Sequence, residues 1–191
     1  MSEPTVLAPW ESFYVIVGSS GAALTGLQFV VMALIAENEQ MRGGAHEIAT
    51  FGTPTVLHFG AVLLLSGLLS APWPAVTGPA IALGMVGLSG AAYSVITWLR
   101  ARRTQLYTPV LEDWIWHVIL PLIAYVAILI ASVQVVDHPT VPLFLVAGSS
   151  MLLLFIGIHN AWDTVTFVML SMKTPRPNAT VGHDPKEITE S

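Results

Sequence analysis

From Ser12 to Ala36 the chain carries no charged residue, and four later stretches come close to the same condition. A run of about 20 apolar residues is the length of helix that crosses a hydrocarbon core about 30 Å thick. Within that core no water can pair with a backbone N–H or C=O, and a helix satisfies these groups internally. The expected fold is therefore all-α, a polytopic bundle of five transmembrane helices. The spans are about 12–36, 48–71, 74–99, 109–136 and 139–172, the second interrupted by Pro54 and His58. Together they form one domain, residues 1–172, and residues 173–191 are expected to be a flexible polar tail.

Composition supports lipid as the solvent. Of 191 residues, 54% are hydrophobic and 10% charged, against roughly 25% charged in soluble domains. The connections "ENEQMRGGAHE", "PWP", "RARRTQLYT" and "DHPT" are too short to hold a soluble catalytic domain. With no cysteine, disulfides, thiolate metal sites and c-type haem attachment are excluded. A net charge of −5, without a basic patch, argues against a nucleic-acid partner. The N-terminus lacks the basic region of a cleaved signal peptide, so the first span is expected to remain.

Orientation follows from the seven Lys and Arg residues. Arg42 follows span one; Arg100, Arg102 and Arg103 follow span three; Lys173, Arg176 and Lys186 follow span five. All seven fall on one side of a five-span chain, which predicts the N-terminus outside and the C-terminus in the cytoplasm. The tryptophans fit an aromatic belt at both interfaces, Trp10 and Trp73 outside, Trp98, Trp114, Trp116 and Trp162 inside. Asn178-Ala-Thr180 matches a glycosylation sequon, without meaning on the predicted inner side.

Small residues recur in span one at Gly18, Ala22 and Gly26, and in span three at Gly84, Gly87, Gly90 and Ala91. Such faces let helices approach closely in lipid. They serve packing within one bundle or, along Gly18, Ala22 and Gly26, a homo-oligomer interface.

The polar residues of the spans gather in the predicted inner half. Asp113 and His117 are four apart on span four, and His159 and Asp163 are four apart on span five. In a regular helix each pair shares a face, about 6 Å apart along the axis. The two pairs are mirror images on antiparallel helices. His58 of span two sits roughly 12–15 Å in from the inner end, with Glu47 three turns before it and Thr55 one turn away. Gln28 of span one lies at comparable depth. Ionisable groups at membrane depth are costly and need a partner or a task. Near the start of a helix, Glu112 and Asp113 also offset the helix dipole. Asp163, toward a helix C-terminus, has no such excuse.

These residue types support several chemistries. His58, His117, His159 and Asp163 can ligate a divalent zinc, iron or manganese ion. Glu112, Asp113, Asn160, Gln28 and Glu47 would then orient the ligands around them. The same groups can instead be an interhelical clamp in a structural or accessory subunit of a larger membrane complex. Haem b held by two histidines is a third reading, and proton or ion transport a fourth. No H-E-x-x-H or paired E-x-x-H motif is present.

The runs "GSSGAALTGLQFVV", "FGTPTVLHF", "LEDWIWHVILP" and "GIHNAWDTVTF" together resemble an uncharacterised family of small bacterial integral-membrane proteins. The resemblance extends to about residue 170. It implies a multi-pass protein of the bacterial inner membrane and carries no reaction or site residue with it.

Overall fold

Backbone groups that pair internally make a chain of helices, and the computed structural model, which describes residues 6–37, 45–103 and 114–173, is helical over most of them. A 3-10 turn, Ala8–Trp10, leads into α1 (Glu11–Glu37). Helix α2 spans Ala45–Ser70 and α3 spans Thr77–Arg103. A π-helical turn, Ile115–Ile119, runs directly into α4 (Leu120–Gln134), and α5 spans Thr140–Lys173. Five segments are long and apolar enough to cross a membrane: Ala8–Leu34, Thr53–Ser70, Thr77–Leu99, Ile115–Gln134 and Thr140–Thr166. They match the expected spans to within a few residues where described. The expected N-cap at Thr108, the helix start at Pro109 and the tail beyond Lys173 lie outside the described residues.

Helix α3 packs along α4, α4 along α5, α5 along α2, and α2 along α1. Helix α2 meets α3 only slightly, so four helices form a ring with α1 on its rim. Small residues set the close approaches. A Cβ on Gly18 would lie 2.7 Å from Ser66 Cβ, and one on Gly21 would lie 3.2 Å from the Phe59 carbonyl oxygen. On α3, Gly84 faces Ser132, Gly87 abuts the Leu129 backbone, and Gly90 receives the Tyr125 ring. Gly157 of α5 receives the Phe59 ring. Helix α3 thus spends its small stripe inside the bundle. The stripe on α1 divides: Gly18 is used against α2, while Ala22 and Gly26 are exposed.

Apolar side chains cover the outside as well as the core. Ile16, Leu27, Ile81, Leu88, Val133 and Phe144 are well exposed, whereas Val62, Leu65, Ile128, Val146, Leu153 and Ile156 are fully buried. Helices that are apolar all round are those that lipid surrounds. Buried hydroxyls mostly bond back within their own helix, as Ser94 does to Gly90 O (3.0 Å), Ser150 to Val146 O (2.9 Å) and Thr164 to Asn160 O (2.9 Å).

The two ends of the bundle are built differently. At the end that holds the N-terminus, Trp10 meets Phe13, Tyr14 and Phe144 in an aromatic knot. Trp73 donates its indole N–H to Leu68 O at 2.6 Å, satisfying a carbonyl of the last turn of α2. At the opposite end lie the polar residues.

Candidate functional site

Pro121 shapes the helix that carries His117. Its nitrogen has no hydrogen to give the His117 carbonyl, and its ring crowds that carbonyl. One residue earlier, the Leu120 N–H bonds to Ile115 O, five residues back. The resulting π turn holds Trp116 and His117. Such turns are concentrated at functional positions. The regular α spacing assumed for Asp113 and His117 therefore does not run through His117, and Asp113 itself lies outside the described residues.

His58 is buried on α2 and has a specific partner on another helix. Its Nδ1 lies 3.1 Å from the Tyr125 hydroxyl of α4, with ring centroids 5.9 Å apart. Tyr125 reaches this position because Gly90 of α3 leaves room for its ring. A buried phenol needs a hydrogen-bond partner, and His58 supplies it. Three helices thus meet at one pair: α2 gives the imidazole, α4 the phenol, and α3 the space.

His159 makes two contacts. Its ring stacks on Trp116 with centroids 3.8 Å apart and planes 19° from parallel. Its Nε2 lies 3.1 Å from Asp163 Oδ2, one turn on. The His159 side chain is 25% exposed and that of Asp163 52%, so the pair opens toward the surface. The four-residue spacing on span five is therefore a real contact. Trp116, in the π turn that leads into α4, is half-buried against α5 through this stack.

The amides sit differently again. Asn160 is 2% exposed and Gln28 4% exposed. Neither polar atom of the Asn160 side chain has a hydrogen-bond partner, nor does Gln28 Nε2. Thr55 is fully buried.

Among the described residues no group of three or more His, Asp or Glu is placed to hold a metal ion. His58, His117, His159 and Asp163 are therefore not drawn into one coordination shell. Glu112 and Asp113 lie outside the described residues, and so does the Glu47 side chain. What the structure brings together is a set of pairs, His58 with Tyr125 and His159 with Trp116 and Asp163. Tyr125 and Trp116 are the partners that a search for ionisable residues passes over. Their signal was a Tyr at mid-span, which at that depth needs a partner, and a Trp beside a His in "WIWH". No protein-family model, curated protein or solved structure matches the chain.

Proposed function

We propose that this is a multi-pass protein of the bacterial inner membrane, N-terminus outside and C-terminus in the cytoplasm, acting as a structural or accessory subunit of a membrane complex. Its polar centre is an interhelical clamp. The observation that carries this reading is the His58–Tyr125 hydrogen bond between α2 and α4. Beside it, the Trp116–His159 stack ties α4 to α5. In lipid, water does not drive helices together, and such polar and close-packed contacts hold a bundle in register. His58 Nδ1 and His159 Nε2 each face a partner within the protein, which supports their use as interhelical and intrahelical ties.

The test is a double-mutant cycle on His58→Phe and Tyr125→Phe, read by unfolding in detergent, alongside elemental analysis of the purified wild type. The expected coupling is about 0.6–1.7 kcal/mol, the range of membrane interhelical hydrogen bonds. The expected metal content is below stoichiometric. Zero coupling would remove the clamp. Stoichiometric zinc, iron or manganese, lost in a His117→Ala, His159→Ala double variant, would put a metal centre in its place.

A further inference from the structure

The buried polar atoms without a hydrogen-bond partner among the described residues are Tyr14 Oη, Gln28 Nε2, Ser66 Oγ and both side-chain atoms of Asn160. Tyr14 and Gln28 belong to the buried stripe of α1. Ser66 faces Gly18 of α1. Asn160 is placed by register. Gly21 abuts α2 at Phe59 and Val62, so two turns further along α1, Gln28 comes level with Thr55 on the antiparallel α2. Gly157 lies under the Phe59 ring, so Asn160, one turn on, comes to the same level from α5. Tyr14, Gln28 and Ser66 thus lie on the α1–α2 seam, and Asn160 comes level with Gln28 from α5, while the α2–α4 seam has its histidine and phenol paired.

That helix is also held unevenly. Its N-terminal end is anchored by Trp10, whose ring lies 4.7 Å from that of Phe144. From Ala22 to Leu34 its only buried residue is Gln28. Each unmade hydrogen bond at a buried group is a standing cost. An element that docks with such costs and few apolar contacts is the one drawn to open.

We propose that the C-terminal half of α1 parts from α2 and α5 to admit an apolar molecule from the bilayer, whose carbonyl oxygen is held by Gln28 and Asn160 beside Thr55. The two amides each offer an unpaired N–H, so the group they lack is an acceptor. The acceptor must be neutral. No Lys or Arg occurs between Ser12 and Ala36, Thr53 and Leu99, or Pro139 and Met172, and an unpaired anion in such surroundings is strongly disfavoured. Asn160 Oδ1 accepts from a neighbouring hydroxyl where the ligand carries one. Two membrane-soluble sources present a neutral carbonyl on an apolar carrier, a phospholipid ester and a quinone head. This site is separate from the clamp and does not depend on it.

The experiment places the full chain in nanodiscs of ether-linked phospholipid, which has no ester carbonyl. Two probes are titrated in, a decyl-substituted benzoquinone and an ester-linked phospholipid. Saturable binding of either supports the site and identifies its source. Gln28→Met, which keeps the shape and removes the amide, should weaken binding at least tenfold, and Asn160→Leu should do the same. Gly26→Ala, whose Cβ meets nothing within 4 Å, should bind as wild type. The absence of cysteine allows nitroxides at Gly26→Cys and Gly60→Cys, and their separation should widen on binding. No saturable binding of either probe, equal binding by Gln28→Met and Asn160→Leu, or an unchanged separation would overturn the proposal.

Discussion

A single methyl group at Gly90 should undo the polar centre. The Tyr125 ring lies so close to Gly90 that an added Cβ would overlap Cγ, Cδ1 and Cε1 at once. The ring cannot easily withdraw, because Tyr125 is 1% exposed and its hydroxyl is tied to His58. In Gly90→Ala either α3 moves away from α4 or the phenol leaves His58. Overpacking a dense core costs roughly 1–3 kcal/mol, and a membrane interhelical hydrogen bond contributes about 0.6–1.7 kcal/mol. If both costs apply the variant is destabilised by about 1.6–4.7 kcal/mol, the sum of those two ranges. Gly60→Ala is the matched control, since a Cβ there meets nothing within 4 Å. Away from clashes the same change is neutral or stabilising by about 0.4–1 kcal/mol. Unfolding in a denaturing detergent series, followed by tryptophan fluorescence, measures both. Adding Tyr125→Leu to Gly90→Ala removes the ring that clashes, so the second cost should fall well short of additivity. Equal stability of Gly90→Ala and Gly60→Ala would refute the packing argument.

Two further outcomes are expected. Trp73→Phe keeps an aromatic ring but leaves the Leu68 carbonyl with only the longer 3.4 Å bond from the Ala71 N–H, and should lower stability by about 1 kcal/mol; an unchanged unfolding midpoint would show that solvent or headgroups replace the indole. Reporter fusions at Thr140 and Lys173, which bound α5, should report opposite sides of the membrane, with Lys173 cytoplasmic; the same side for both would refute the five-span topology.

The helices were legible because lipid imposes one rule on every span, a length of apolar residues. That rule predicted all five described helices, and α2 runs through Pro54 as membrane helices can. The inward faces were less legible. Leu27 and Leu65 are equally apolar, yet one is 62% exposed and the other fully buried, so hydrophobic periodicity says little about orientation. Small residues carried that information better, and only where the partner helix had a matching bulk. Gly90 and Gly157 each receive a ring, while Gly26 and Gly148 meet nothing. A glycine in the sequence does not reveal which of these it will be, because the answer lies on another helix.

The same reasoning explains the site. Ionisable residues stand out in an apolar chain, so His58, His159 and Asp163 were visible at once, and the four-residue spacing of the last two became a 3.1 Å contact. Their neutral partners were not. A Tyr and a Trp in a membrane span read first as belt or core, and only the crossing of α2, α4 and α5 turns them into partners. On span four, Pro121 converts the turn around His117 to π geometry, and Asp113 lies outside the described residues. In the sequence Asn160 and Gln28 are candidates for interhelical hydrogen bonding or for groups around the histidines. Their burial without partners makes them the less settled half of the polar centre, and an amide that costs free energy where it stands is better evidence of a task than an imidazole already paired.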